Sequence, residues 1–224
     1  MRNFLQSLSP RTEFAVVVAG AFGPFIVTSL FMAFHPVATP QHSESGLWHL
    51  AIHETVVFGI LGSFLYARGW TLMRIGLVPT WTDTAVGIGL ALAAYLAYAF
   101  AWSVLVAVSL PLAQAAAQVK VMPPELSPVT VAAIVVVNPL YEEIFVAGYV
   151  VTALKEGRGA TFALNCSVAI RLLYHLYQGV AGILSIIPLG LIFTYWYVRT
   201  GKLWPLIVAH AAIDLFGLLA YVKF

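Results

Sequence analysis

Seven apolar runs, separated by short polar segments, follow one another along the chain, and each stays apolar on every side. A helix needs roughly 20 apolar residues to cross about 30 Å of hydrocarbon, and shorter runs are tolerated where the bilayer thins. Strands of a membrane barrel would instead alternate polar and apolar residues. We therefore predict an all-α, polytopic membrane helix bundle with about seven transmembrane helices. The predicted spans are residues 14–34, 47–66, 84–110, 129–151, 161–177, 181–198 and 203–221.

The composition supports this fold class, because 61% of the 224 residues are hydrophobic and only 9% are charged. In soluble domains about a quarter of the residues are charged. We predict one transmembrane domain over residues 1–224, inserted in the lipid bilayer. The formal net charge of +2 is too small and too scattered for a nucleic-acid surface. The single cysteine, Cys166, excludes an internal disulfide and a cysteine-based zinc cluster. The oligomeric state stays open.

Basic residues are distributed unevenly between the two ends of the predicted helices. With seven spans, eight of them fall on one side and two on the other. Short loops rich in Lys and Arg stay in the cytoplasm, so we predict a cytoplasmic N-terminus and an external C-terminus. The larger set is Arg2, Arg11, Arg68, Arg74, Lys155, Arg158, Arg199 and Lys202, and the smaller set is Lys120 and Lys223.

Nine histidine, acidic and basic residues lie inside the predicted spans. Each ionised group near the bilayer centre costs about 2.5–3.5 kcal/mol, so we expect these side chains to face one another. The i, i+4 spacing of Arg171 and His175, and of His210 and Asp214, puts each pair on one helix face. The nine residues are His49, His53, Glu54, Glu142, Glu143, Arg171, His175, His210 and Asp214.

Two adjacent glutamates, Glu142 and Glu143, follow Asn138-Pro139 by one turn. Proline removes a backbone hydrogen bond, and it bends or opens the helix where a polar pocket needs space. Neighbouring side chains on a helix point about 100° apart. One carboxylate can therefore face the pocket while the other pairs elsewhere, and we predict different roles for the two. Asn138 is predicted to line the pocket.

The H-x-x-x-H-E run that contains His49, His53 and Glu54 can indicate a metal-ion path, or its histidines can belong to the membrane interface, and both interpretations stay open. The histidines lie close to Trp48 and fit the aromatic belt at the membrane interface. Glu54 lies deepest in the predicted span, and we name it as a residue that lines the site.

Three short motifs resemble those of the CAAX-protease and bacteriocin-processing family of intramembrane endopeptidases, also called the Abi family. Its pattern is E-E-x-x-x-R, then F-x-x-x-H, then H-x-x-x-N or D, each within a membrane helix. Here the corresponding runs are EEIFVA from Glu142, RLLYH from Arg171 and HAAID from His210. The resemblance covers residues 127–218, which we take as the motif-bearing catalytic core, and it implies a prokaryotic cell membrane as the location.

Two positions depart from the family pattern. Ala147 stands where the family has arginine, and Arg171 stands where it has phenylalanine. Either the charge has moved to a neighbouring helix or the site has decayed. We favour relocation, because an arginine without a role at this depth would be costly. Arg171 is therefore predicted to pair with Glu143.

The resemblance implies proteolysis of a membrane-anchored protein or peptide. Glu142 and His175 would bind and deprotonate one water molecule, and His210 would stabilise the oxyanion with support from Asp214. Glu143 and Arg171 would be structural. The alternative is a catalytically inactive relative that acts as a membrane scaffold, a sensor or a bacteriocin-immunity protein. A small transporter fits less well, because the sequence shows no internal repeat.

No cofactor is expected, since the resemblance implies a glutamate-dependent reaction without a required metal. Zinc stays open as an alternative, because two histidines and a glutamate can hold a catalytic zinc ion. The compact H-E-x-x-H arrangement of many zinc proteases is absent from the sequence.

Overall fold

A computed structural model describes residues 7–35, 43–117 and 125–222. Within these ranges the regular structure is helical, apart from one isolated bridge between Leu126 and Val222. The helices are α1 (Pro10–Phe34), α2 (Glu44–Ala67), α3 (Trp81–Val108), α4 (Leu110–Ala117), α5 (Pro128–Glu142), α6 (Val150–Arg158), α7 (Ala160–Leu173), α8 (Gly179–Thr200) and α9 (Trp204–Leu219). A π-helical segment, Glu143–Tyr149, joins α5 to α6, and a short 3₁₀ turn, Leu176–Gln178, precedes α8.

Each predicted span coincides with a helix, so the all-α, polytopic bundle is confirmed. Within the described ranges, five helices are long and apolar enough to cross a bilayer, and α5, the π-helical segment and α6 count as one of them. The other two, α7 and α9, are apolar but shorter, with 14 and 16 residues. At 1.5 Å per residue they cover about 21 and 24 Å, which is less than the usual hydrocarbon thickness.

Two predicted span ends differ from the helix ends in the structure. The third span was predicted to end at Leu110, but α3 ends at Val108, and the short helix α4 starts at Leu110. The fifth span was predicted to continue to Tyr177, but α7 ends at Leu173. The chain then turns and reaches Gly179, whose φ of +64° suits glycine. The apolar run continues through the first of these turns, so hydropathy alone does not mark it.

Serine and threonine side chains start four of the helices. Ser9, Ser43, Thr80 and Ser127 each accept a hydrogen bond from the backbone N–H three residues further on. This satisfies a donor that the first helical turn cannot pair internally. These caps explain where the long helices begin in a sequence whose apolar runs have few other limits.

The helix formed by α5, the π-helical segment and α6 is the centre of the bundle. In its most apolar window 56% of the residues are buried, against 6% for α3. All seven residues of the π-helical segment are buried. The helix that carries both glutamates is therefore enclosed by protein, whereas α3 directs most of its surface outward.

Two basic residues, Arg68 and Lys155, make hydrogen bonds that join helix ends. The guanidinium of Arg68, which follows α2, donates hydrogen bonds to the carbonyl of Leu8 and to the carboxylate of Glu13, close to the start of α1. Lys155 near the end of α6 donates to the carbonyl of Val198 near the end of α8, 2.7 Å away. At the opposite end, the backbone N–H of Leu126 donates to the carbonyl of Tyr221. Arg2, Lys120 and Lys223, which enter the predicted orientation, lie outside the described residues.

Candidate active site

A cavity of about 730 Å³ opens between α1, α2, α5, α8, α9 and the turn after α7. Six of the eight predicted site residues line it, namely Glu54, Asn138, Glu142, His175, His210 and Asp214. The other two, Glu143 and Arg171, are fully buried behind the wall, each with 0% of its surface exposed. The cavity is far larger than the single bound water that the sequence analysis places there. Its volume falls in the range of about 300–1,000 Å³ that is typical of ligand pockets.

The two glutamates lie at the junction between α5 and the π-helical segment. Pro139 precedes this junction, and its missing N–H removes one bond of the α-helical ladder. A π-helical turn is wider than an α-helical one, and such turns often occur at functional sites. Glu142 faces the cavity while Glu143 points into the protein. The two carboxylates therefore have different surroundings, as predicted from the angle of about 100° between neighbouring side chains on a helix.

Arg171 on α7 binds both glutamates. Its Nη2 lies 2.8 Å from each carboxylate oxygen of Glu143, and its Nη1 lies 3.3 Å from Oε2 of Glu142. The predicted contact with Glu143 is present. The contact with Glu142 goes beyond the prediction, which names Glu143 as the partner of Arg171. Two nitrogens of one rigid, planar cation hold the adjacent carboxylates together.

Glu142 is held by neutral donors as well. The hydroxyl of Tyr174 donates to Oε2 of Glu142 at 2.7 Å, and the Asn138 amide donates to Oε1 at 3.2 Å. Tyr174 in turn stacks on Phe22 of α1, with ring centroids 5.0 Å apart. The carboxylate therefore has a defined orientation at the cavity wall.

His210 lies between two carboxylates. Its Nδ1 is 2.7 Å from Oε1 of Glu143, and its Nε2 is 3.7 Å from Oδ1 of Asp214. Glu143 is paired with Arg171 and accepts hydrogen bonds as a carboxylate, so Nδ1 of His210 must carry a hydrogen. Asp214 was predicted to orient His210. The structure adds Glu143, which makes the shorter contact.

His175 lies in the turn that follows α7. Its Nδ1 is 2.9 Å from the backbone carbonyl oxygen of Arg171. A carbonyl only accepts, so Nδ1 donates, and Nε2 has a lone pair when the ring is neutral. The four-residue spacing that predicted a shared helix face thus brings the two residues together, although the helix has ended before His175.

Tyr174 is the site residue that the sequence analysis missed. Its position directly before His175 inside the second motif was the available signal, but tyrosines in a membrane protein are common at the interfaces. Because α7 ends at Leu173, both Tyr174 and His175 turn toward the cavity. His49 and His53 line the cavity too, which favours the site-lining interpretation of their run.

Within residues 7–35, 43–117 and 125–222, no group of three or more His, Cys, Asp or Glu side chains is arranged to hold a metal ion.

The comparisons with known proteins identify the part of the chain that forms most of this site. Residues 124–216 match the Rce1-like family. The family is described as type II CAAX prenyl endopeptidase, Rce1-like, and the match spans all three motifs. It confirms the resemblance to the CAAX-protease family and, at the level of the family, supports a CAAX-type protease in a membrane. Searches of curated proteins and of solved structures gave no match.

Proposed function

We propose that the chain is an intramembrane endopeptidase that cuts a membrane-anchored protein or peptide with a water activated by Glu142 and His175. One observation supports this most. Glu142 is oriented by Arg171, Tyr174 and Asn138 at the wall of a cavity that His175 and His210 also line. Placing three polar donors around one carboxylate in a largely apolar bundle costs free energy. The contacts give the carboxylate one fixed position, which suits a general base.

The free lone pairs of this arrangement suggest where the water binds. Within the described ranges, Oε2 of Glu142 accepts from Tyr174 and Arg171, whereas Oε1 accepts from Asn138 alone. Oε1 therefore has the capacity to accept from a water. Nε2 of His175 offers a second acceptor. The water oxygen would attack the scissile carbonyl carbon while its proton moves to Glu142, and the same proton would later reach the leaving amide nitrogen.

His210 is suited to stabilise the oxyanion of the tetrahedral intermediate. Its Nδ1–H is used by Glu143, so the ring presents a second donor, Nε2–H, only as an imidazolium. The negative charges of Glu143 and Asp214 on either side favour that charged form. Asp214 as a carboxylate cannot donate a hydrogen bond itself, so we assign it to the support of His210. Glu143 and Arg171 have structural roles.

The family description favours a prenylated C-terminal segment as the substrate. The cavity wall is mostly apolar, and it also carries the polar side chains of Glu142, His175 and His210. A substrate with an apolar anchor beside its scissile peptide bond matches this distribution. Peptide precursors and other lipid-anchored tails share the same chemistry.

The proposal includes the orientation of the protein in the membrane. The end of the bundle that joins Arg68, Arg74, Lys155 and the end of α8 would face the cytoplasm, by the bias of basic residues. Lys155 near the end of α6 contacts Val198 near the end of α8, so the two helix ends lie on the same side of the membrane. The chain between them therefore crosses twice, once in α7 and once in α8, which supports seven crossings. The C-terminus would be external.

Glu142→Gln separates the enzyme from a catalytically silent relative. We expect the variant to fold normally in detergent and to lose about 100-fold or more in the rate of cleavage of a prenylated reporter peptide in proteoliposomes. Glu156→Gln, which alters an exposed carboxylate on α6, is the matched control and should keep full activity. Activity of Glu142→Gln equal to the wild type would refute the proposed role of Glu142. A wild-type protein that cleaves no member of a panel of anchored peptides would favour the silent relative.

A further inference from the structure

Glu54 on α2 is a buried acid without a cationic partner. Only 2% of its surface is exposed. Within the described ranges no Lys, Arg or His nitrogen makes an ion pair with it, and its Oε2 has no hydrogen-bond partner. Its Oε1 accepts from the Asn138 amide at 2.9 Å.

The same amide nitrogen of Asn138 also reaches Glu142. Nδ2 is 2.9 Å from Oε1 of Glu54 and 3.2 Å from Oε1 of Glu142. One of its two hydrogens is therefore donated to each acid. With both hydrogens used, rotation of the amide would break one of the bonds. Asn138 therefore links an acid on α2 to the proposed base on α5.

The surroundings of Glu54 favour its neutral, protonated form. Glu142 from α5 and Asp214 from α9 line the same cavity and add negative charge nearby, while Arg171 is committed to Glu142 and Glu143. His53 from the same helix and His210 from α9 also line the cavity, but neither makes an ion pair with Glu54 in the described ranges. An ionised carboxylate that is buried without a cation is costly, and protonation removes that cost.

We propose that Glu54 is a positioning residue, which as a neutral carboxylic acid holds the Asn138 amide in the orientation that aims Glu142 at the water. This inference rests on the proposed function, since it takes Glu142 as the base. In this role Glu54 acts through its hydrogen bond with Asn138. A neutral acid is suited to it, because it accepts from Asn138 without placing a second negative charge beside Glu142.

Infrared spectroscopy of the purified protein tests the charge state of Glu54 independently of activity. The difference spectrum between the wild type and Glu54→Gln should show loss of the C=O stretch of a protonated carboxylic acid. The band should shift in deuterated water, as expected of an exchangeable O–H. A difference spectrum with carboxylate bands alone would overturn the neutral form of Glu54.

Kinetics test whether Glu54 acts through Asn138. Glu54→Gln keeps a neutral acceptor and should have kcat within about threefold of the wild type. Glu54→Ala and Asn138→Ala should each lower kcat about tenfold with little change in KM, the effect of losing one hydrogen bond of about 1.4 kcal/mol. Because both act on the same group, the double variant should be no slower than Asn138→Ala alone.

The remaining outcomes distinguish this inference from the proposed function. Multiplied losses in the double variant, or a Glu54→Gln variant as inactive as Glu142→Gln, would overturn the positioning role. Full activity of Glu54→Ala beside an inactive Glu142→Gln would overturn it too and would leave the proposed function intact. Full activity of Glu142→Gln would instead refute the proposed function. Thermal unfolding of each variant identifies any loss that comes from misfolding.

Discussion

Arg171 and Glu143 form a buried ion pair in which one guanidinium nitrogen lies 2.8 Å from both carboxylate oxygens. Each of the two residues has 0% of its surface exposed. The second nitrogen reaches Glu142 at 3.3 Å. The cation of α7 thus compensates two adjacent acids of the neighbouring helix, and it does so from the position where the resembled family has phenylalanine.

Arg171→Ala should destabilise the protein by about 3–5 kcal/mol, because it leaves two buried carboxylates without their cation. Arg171→Lys should recover only part of this loss, since a single ammonium group cannot hold Glu142 and Glu143 in the same way. Chemical unfolding in detergent, together with the cleavage rate, measures both effects. Arg158→Ala removes an exposed arginine at the end of α6 and should change stability by less than about 0.5 kcal/mol.

Adding Ala147→Arg to Arg171→Ala should restore part of the lost stability. Ala147 is fully buried four residues after Glu143, and an arginine there could enter the space that Arg171 has left. Ala147→Arg alone should be harmful, because it overpacks the core and adds an uncompensated cation. A harmless Arg171→Ala variant, or a double variant no better than the single one, would contradict the relocated arginine.

Tyr174→Phe should affect activity more than stability. It removes the 2.7 Å hydrogen bond to Oε2 of Glu142 and leaves the ring stacked on Phe22. We expect kcat to fall about tenfold, as for one lost hydrogen bond to a charged group. Tyr141→Phe is the matched comparison, because its hydroxyl donates to the carbonyl of Ala21, and its loss should lower stability by about 1 kcal/mol with little change in kcat. Equal effects of the two variants on kcat would argue against a role for Tyr174.

The helices and most of the site could be predicted because both follow from the cost of polar groups in hydrocarbon. That cost makes the apolar runs helical and brings Glu142, His210 and Arg171 together. It does not indicate which acid a cation prefers, so the contact of Arg171 with Glu142 and that of His210 with Glu143 were not predicted. Both depend on the π-helical segment and on packing between distant parts of the chain, which hydropathy does not report.

The contacts of Glu13, at the end of the bundle, could not be predicted from the sequence either. It lies one residue before the predicted first span, and no role for it follows from the sequence. In the structure it is buried and accepts from Arg68 at 2.5 Å, Trp70 at 2.9 Å and Tyr149 at 3.2 Å. These partners come from the segment after α2 and from the last residue of the π-helical segment. No local pattern shows that three such distant donors meet.

Glu13→Ala should therefore lower the free energy of unfolding by about 3 kcal/mol, since it removes one member of a largely buried ion pair and leaves two further donors without their acceptor. Lys202→Ala is the comparison, because the Lys202 side chain is 54% exposed in its pair with Asp83. An exposed pair contributes at most about 1 kcal/mol. Thermal unfolding in one detergent measures both variants, and a larger loss for Lys202→Ala would contradict this ranking.

Cysteine labelling tests whether the short helices α7 and α8 both cross the membrane. In a Cys166→Ser background, Gly157→Cys and Thr200→Cys should react with an impermeant reagent from the same, cytoplasmic side. If α7 does not cross, the two positions will be labelled from opposite sides. A reporter fused after Phe224, which lies outside the described residues, should be external.

Gly87 on α3 lets α9 approach closely, and α9 carries His210. A Cβ at Gly87 would lie 2.7 Å from the carbonyl oxygen of Pro205 and 2.7 Å from Cβ of Val208. Gly87→Ala should therefore push α9 away, lower stability by about 1–3 kcal/mol and reduce kcat, because the Nδ1 contact between His210 and Glu143 is short.

Gly89 lies on the same helix with open space around its Cβ position. Gly89→Ala should leave kcat unchanged and raise stability by up to about 1 kcal/mol. If the two alanine variants unfold at the same temperature and cleave at the same rate, close packing of α3 against α9 does not position His210.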